Sequence, residues 1–95
     1  MAGEAVFVLS MSAVAGPQNA QPDGLRYHLL VFSRAAEEDG AEQRARRALE
    51  MLGWLDPHAL GGGEITQPEA VPEDLQPAFR RALDQGCAVI VYEQP

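Results

Sequence analysis

The sequence predicts a two-layer α/β sandwich in which a mixed four-stranded sheet carries two helices on one face. Residues 40–52 and 76–86 space their apolar side chains as the buried stripe of an amphipathic helix does. Three uncharged apolar runs and one weaker segment have strand character. Two amphipathic helices need a sheet to cover, and a right-handed crossover through each helix places both on the same side.

The first two strands are predicted in the amino-terminal third of the chain. Residues 6–11 carry no charge and are rich in branched and aromatic side chains, which is typical of a buried strand. Residues 16–24 combine prolines, glycines, Asn and Asp and are therefore expected to form a loop. Residues 26–34 form the second predicted strand, with an apolar middle between two charged ends.

The first helix is predicted over residues 40–52. Asp39 is expected to be its N-cap, because Glu42 stands three residues further on, where the acid of a capping box belongs. Gly53 can adopt the left-handed conformation that ends a helix. Trp54 is then placed to pack back against the last turn of this helix.

The sequence predicts the third strand less strongly than the fourth. Residues 64–70 have weak strand character, and Pro68 confines them to an edge of the sheet. Residues 88–92 are uncharged and apolar, so we expect them inside the sheet. The three glycines at 61–63 lack the Lys-Ser/Thr of a phosphate-binding loop and are interpreted as a flexible connector.

The prolines set the start of the second helix. A proline well inside a helix costs about 3 kcal/mol, whereas a proline in the first turn is tolerated. We therefore expect a short turn over residues 72–75 and a helix that begins at Gln76 or Pro77. Gly86 is expected to end this helix.

The resulting element order, ββαβαβ, resembles that of ferredoxin-like α/β sandwiches in general architecture. The 95 residues suit one domain, residues 1–95. This resemblance concerns the fold only and implies no function, because one fold hosts many functions.

Composition and charge narrow the classes of function. Fourteen acids and seven bases give a net charge of -7, which disfavours nucleic acid as a partner. A single cysteine cannot form an internal disulfide, so we expect a reducing cytoplasm. All bases are arginine, which suggests the codon bias of a GC-rich bacterial genome. The apolar run over 5–16 lacks the basic residues of a signal peptide and is too short to span a membrane.

The strands do not alternate cleanly between apolar and polar residues, although a sheet covered on one face should. Val6 and Val8 of the first strand, and Leu30 and Phe32 of the second, are the apolar residues expected on the helix-free face. An apolar face of this size is rarely left exposed. We therefore predict a homodimer, or a complex with another protein, formed through these residues. In the alternative, a monomer covers the face with the 16–24 loop and the tail after Glu93.

Candidate chemistry is sparse, and no catalytic residue, metal site or cofactor is predicted. Cys87 follows a helix C-terminus, where the helix dipole favours the neutral thiol, so we interpret it as a packing residue. His28 is either an acid-base group or a residue on the wetter face of its strand. Asp56 and His58 are close enough in sequence to orient each other, but no Ser or Cys that could act as a nucleophile lies near them in the sequence.

Three functions follow from these observations. The favoured function is a non-catalytic module that self-associates or binds another protein through the helix-free face. The second is a small-molecule-binding or minor enzymatic domain, with a pocket near His28, Trp54 and Tyr92. The third is an acidic inhibitor of a basic protein.

Overall fold

The structure is a computed structural model that describes residues 3–22 and 24–93, without the side chains of residues 92 and 93. Four strands and two helices follow one another in the predicted order, and two short 3-10 turns precede the second helix. The elements are β1 (Ala5–Ala15), β2 (Arg26–Ala35), α1 (Glu38–Met51), β3 (Trp54–Glu64), the 3-10 turns (Pro68–Ala70 and Glu73–Leu75), α2 (Gln76–Gln85) and β4 (Cys87–Glu93).

The sheet is antiparallel throughout, with the strand order β3-β1-β2-β4. The central hairpin joins β1 and β2, from the Ala5–Ala35 pair to the Val14–Arg26 pair. The expectation of a mixed sheet is therefore wrong. The third strand lies at an edge, although residues 54–64 form it and not the predicted segment, and β4 forms the opposite edge instead of an inner strand.

The two helices cover opposite faces of the sheet. Odd-numbered residues of β1 and β2 pack beneath α1, and even-numbered residues pack beneath α2. The α1 cluster includes Leu9, Met11, Leu29, Val31 and Leu49, and the α2 cluster includes Val6, Phe32, Phe79, Ala82 and Ala88. The predicted arrangement of two helices on one face is thus wrong.

Strand direction explains the placement of the helices. Because β2 and β3 are both antiparallel to β1, they run parallel to each other. The right-handed crossover rule therefore applies to their connection, which contains α1. In contrast, β4 is antiparallel to β2 and hence to β3, so the rule sets no side for α2. Helices on both sides account for the unbroken apolar runs in the strands.

The sheet face expected to be free is covered by the chain itself. Val6 is 3% exposed and Phe32 is 1% exposed beneath α2, while Val8 and Leu30 are half-buried against the same cluster. The premise of a helix-free face is wrong because α2 supplies the missing cover. Residues 19–21 of the predicted covering loop lie beside Leu52 and Trp54 on the α1 side, where the Asn19 side chain donates a 2.8 Å hydrogen bond to the carbonyl of Leu52. The tail after Glu93 lies outside the described residues.

The third strand lies earlier in the chain than expected. Residues 54–64 pair with β1, whereas the segment predicted as a strand, 64–70, leaves the sheet and ends in a 3-10 turn. The stretch WLDPHALGGGE contains Pro57 and three glycines, so it shows no strand pattern in sequence. Two β-bulges against β1 accommodate it, and the 61–63 glycines are strand residues rather than a flexible connector.

The helices begin and end where the local sequence predicts, with one exception. Gly53 and Gly86 have φ angles of 85° and 95°, and Pro77 lies in the first turn of α2, as predicted. The exception is the start of α1, where Glu37 is the N-cap and makes no side-chain capping bond. Asp39 therefore lies inside the first turn, where an acid still stabilises the helix dipole.

Candidate interaction site at the edge of β4

The β3 edge of the sheet carries several features that prevent pairing with another strand. Asp56 and Pro57 form one bulge and Leu60 forms the other, so the edge is irregular. Pro57 offers no N–H, and Asp56 has a φ of 51°, which is uncommon for a residue with a side chain. Bulges, prolines and charges are the devices by which proteins protect an exposed strand edge.

The β4 edge carries none of these features over residues 87–91. This stretch, CAVIV, has no charge and no proline. The N–H of Arg34 donates to the carbonyl of Gly86 at 2.9 Å. Arg34 and Gly86 are therefore a hydrogen-bonded pair, which determines which residues of β4 bond to β2. Bonded positions alternate in an antiparallel pair, so Ala88 and Ile90 carry the next bonds to β2. The N–H and C=O groups of Cys87, Val89 and Val91 therefore point away from the sheet.

The flanks of this edge come from both helices. A groove of about 570 Å³ separates the end of α1 from α2 along β4. Its apolar part includes Met51, which is 83% exposed, and Leu52, which is 53% exposed. Arg81 and Gln85 of α2 line the opposite side of the groove. The edge is thus accessible and bordered by apolar side chains at the end of α1.

A second, more polar cavity of about 420 Å³ lies at the Cys87 end of the edge. Its lining includes Gln43, Arg44 and Arg47 of α1 together with Gln85 of α2. Among the described residues, no ion pair or hydrogen bond involves the guanidinium groups of Arg44, Arg47 or Arg81. Three unpaired cations therefore surround one end of the open strand.

Cys87 lies within this edge and has no activated thiol. Burial raises the pKa of the Cys87 thiol above its ordinary value, although the hydroxyl of Ser33 and the charge of Arg44 act in the opposite direction. The thiol is consequently neutral at physiological pH and a poor nucleophile. This agrees with its interpretation as a packing residue.

A separate polar cluster joins β2 and β3 across β1. Arg26 donates from Nη2 to Oδ2 of Asp56 at 2.5 Å and from Nη1 to the Ser12 hydroxyl at 2.9 Å. Nε2 of His58 lies 3.1 Å from Oδ1 of Asp56, so these two residues do orient each other, as predicted. The Ser12 hydroxyl accepts a hydrogen bond from Arg26 and donates none to a base among the described residues. The cluster therefore holds the bulged strand to the sheet and supplies no activated nucleophile.

The cluster predicts a pH-dependent contribution to stability. Loss of hydration acts to raise the pKa of Asp56, but hydrogen bonds and charges from Arg26 and His58 outweigh it and hold this pKa below its ordinary value of 3.8. A lowered folded-state pKa stabilises the protein above pH 3.8, and this contribution is lost as the pH falls through the folded-state value. Asp56→Asn should therefore destabilise the protein at pH 7 more than at pH 3, as measured by urea unfolding at both pH values.

Asparagine is the suitable replacement because it tolerates the positive φ at this position. Glu69→Gln is the control, since Glu69 is exposed and forms no ion pair with any described residue. Equal destabilisation by Asp56→Asn at pH 7 and pH 3 would assign the effect to the backbone instead of the charge.

The predicted ligand-binding residues do not form one pocket. His28 pairs with Ser12 on the α2 side of the sheet, whereas Trp54 is buried on the α1 side. There the Trp54 ring meets the Tyr27 ring edge-on, with 5.6 Å between the ring centroids. A cavity of about 200 Å³ lies beside Trp54, between Leu52 and Val91. The side chain of Tyr92 lies outside the described residues. Since the sheet separates His28 from Trp54, a shared site at these residues has no geometric basis.

Comparisons with known proteins identify no relative: no family model, no curated protein and no solved structure matches this chain. No helix in the described part of the chain is long and apolar enough to cross a membrane. Nor does this part bring three or more His, Cys, Asp or Glu side chains together in a group suited to a metal ion. The open β4 edge is therefore the feature of the described residues that bears most directly on function.

The residues at this edge were not singled out from the sequence. An uncharged run such as CAVIV fits a central strand as well as an unprotected edge strand, and β4 was expected inside the sheet. The available signal was Met51, an apolar residue near the helix end and outside the stripe formed by Ala41, Ala45 and Leu49.

Proposed function

We propose that this protein is a non-catalytic interaction module that accepts an extended segment of another polypeptide as a strand beside β4. The contrast between the two sheet edges supports the proposal most directly. The β3 edge has two bulges and a proline, whereas β4 presents a row of outward N–H and C=O groups without a charge over residues 87–91, and its single bulge follows at Tyr92. An open edge of this kind is a template for a further strand.

The groove gives such an addition both affinity and selectivity. Main-chain hydrogen bonds from Cys87, Val89 and Val91 would hold the segment whatever its sequence. Its side chains would alternate between the two faces of the extended sheet. Those on the α1 face would reach Met51 and Leu52, whose exposed surface they would cover.

Another polypeptide is a better occupant than a second copy of this chain. The residues expected to form a homodimer, Val6 and Phe32, are buried beneath α2. A symmetric β4–β4 pairing remains geometrically available, but it would bring two sets of unpaired arginines to one seam. Self-association is therefore a competing outcome of the experiment below.

The broader setting follows from composition. We place the module in the cytoplasm as a single domain, because its one cysteine supplies no internal disulfide. The net charge of -7 disfavours nucleic acid as its partner.

The proposal predicts that Val89→Pro abolishes strand addition. The Val89 N–H points away from β2, so proline removes an outward donor without breaking a bond of the sheet. The probes are three labelled heptapeptides in which Val alternates with Thr, Glu or Lys, and binding is measured by fluorescence anisotropy. Wild-type protein should bind at least one peptide, and Val89→Pro should bind none. Val89→Ala is the matched control, because it shortens the side chain but keeps the N–H.

The outcomes separate the possible occupants. If Val89→Pro and Val89→Ala weaken binding equally, the side chain rather than the strand edge is responsible and the proposal is wrong. If no peptide binds, the proposal is also wrong. Light scattering on the wild type adds a further test: a dimer that Val89→Pro converts to a monomer would assign the edge to a second copy.

A further inference from the structure

We infer that the segment bound at β4 is acidic, with carboxylates beside the Cys87 end of the edge. This inference rests on the proposed strand addition and specifies the chemistry of the partner. Its basis is the set of unpaired guanidinium groups around the edge, defined here as the arginine cluster: Arg44, Arg47 and Arg81.

The arginine cluster flanks the open strand on both faces. Arg44 and Arg47 extend from the side of α1, and Arg81 extends from the side of α2. The side chains of an added strand would alternate between these two faces. Such a strand would therefore meet a guanidinium group on either side. Guanidinium groups bind carboxylates through charge-assisted hydrogen bonds, often in bidentate form.

Of the four other arginines, three are paired, and Arg80, which forms no ion pair with a described residue, lines neither cavity. Three other arginines are already used: Arg26 pairs with Asp56, Arg34 with Glu4 and Arg46 with Glu42. None of the described residues that line the two cavities is acidic. A chain with twice as many acids as bases thus leaves three cations without carboxylate partners along its one unprotected strand edge. An acidic segment would neutralise them.

The two ends of the edge differ in chemistry. The end near Cys87 is lined by Arg44, Arg47 and two glutamines, whereas the groove towards Val89 is bordered by Met51 and Leu52. The matching segment has acidic side chains at one end and apolar side chains at the other. This polarity would fix the register in which the segment is bound.

The test compares the Glu/Val peptide with the Thr/Val and Lys/Val peptides. We expect the Glu/Val peptide to bind most tightly, and its affinity to fall as the salt concentration rises from about 0.05 M to about 0.5 M. The glutamates of this peptide all lie on one face of the added strand, so either Arg44→Gln and Arg47→Gln or Arg81→Gln should weaken it by roughly two- to fivefold, which corresponds to partly exposed ion pairs. The triple variant should weaken it by about tenfold or more.

Arg80→Gln is the matched control. It removes the same charge from the same helix, but Arg80 lies about 100° around the helix from Arg81 and lines neither cavity. The affinity should not change. Arg81→Gln is the cleanest single variant, because the guanidinium group of Arg44 also packs over Gly86 and contributes to the fold there. Thermal unfolding of each variant shows whether the fold is intact.

The outcomes distinguish this inference from the proposed function. If the three peptides bind equally and Val89→Pro abolishes all binding, strand addition stands and the acidic partner is wrong. If the Lys/Val peptide binds best, the inference is overturned. Equal losses for Arg80→Gln and Arg81→Gln would show a general charge effect, which also contradicts a site at the β4 edge.

Discussion

Replacement of Phe32 by alanine is expected to lower the free energy of unfolding by about 3–5 kcal/mol. The Phe32 side chain is 1% exposed and lies in the cluster beneath α2, between its cross-strand neighbours Val8 and Ala88. Its removal forfeits apolar burial and leaves a cavity that the surrounding strands cannot fill completely. Urea unfolding at pH 7, followed by circular dichroism, measures the difference.

Leu60→Ala is the control for this substitution. Leu60 lies at a bulge of β3 and is 56% exposed, so its truncation should change stability by no more than about 0.5 kcal/mol. A loss below about 1 kcal/mol for Phe32→Ala would contradict the placement of α2 over this face. Phe32 would then be an exposed residue, as the homodimer hypothesis supposed.

Gly62→Ala is expected to destabilise the protein by about 1–3 kcal/mol. A Cβ at this position would lie 2.6 Å from the carbonyl oxygen of Val8 and 2.7 Å from Cδ2 of Leu9. The first of these atoms belongs to the backbone of β1 and cannot move without disturbing the ladder. The comparison of urea unfolding curves for wild type and variant checks this value.

The neighbouring glycine provides a closely matched control. A Cβ at Gly61 would meet no atom within 4 Å, and its φ lies outside the left-handed region. Gly61→Ala should therefore be neutral or stabilise the strand by up to about 0.5–1 kcal/mol. If the two variants are equally destabilised, the glycines act through chain flexibility and the close contact between β1 and β3 does not explain them.

The sequence was sufficient for the elements whose local signals are strong. The apolar spacing of α1, the left-handed glycines at 53 and 86, and the position of Pro77 each reflect interactions within a few residues. The third strand could not be predicted in the same way, because WLDPHALGGGE pairs through its backbone with β1 and has little apolar pattern of its own. Its stability comes from a partner about 50 residues earlier in the chain.

The side on which α2 packs was also beyond sequence reasoning. Handedness constrains a helix between parallel strands, and the antiparallel β3–α2–β4 connection escapes that constraint. The apolar runs in β1 and β2 correctly indicated that both faces are buried. They did not identify the cover, which is α2 and not a second body. The polar cluster was predicted only in part, since Asp56 and His58 are close in sequence whereas Arg26 reaches them through the sheet.

The strand order carries a consequence for how the protein folds. The β1–β2 hairpin is local in sequence and occupies the centre of the sheet, and β3 and then β4 attach to its two outer sides. No later strand has to insert between two strands that are already paired. Growth outward from a hairpin avoids topological traps, so refolding should proceed without a slow rearrangement step. We expect β4 to pair last, because it is further in sequence from β2 than β3 is from β1 and loop closure costs more entropy over a longer separation.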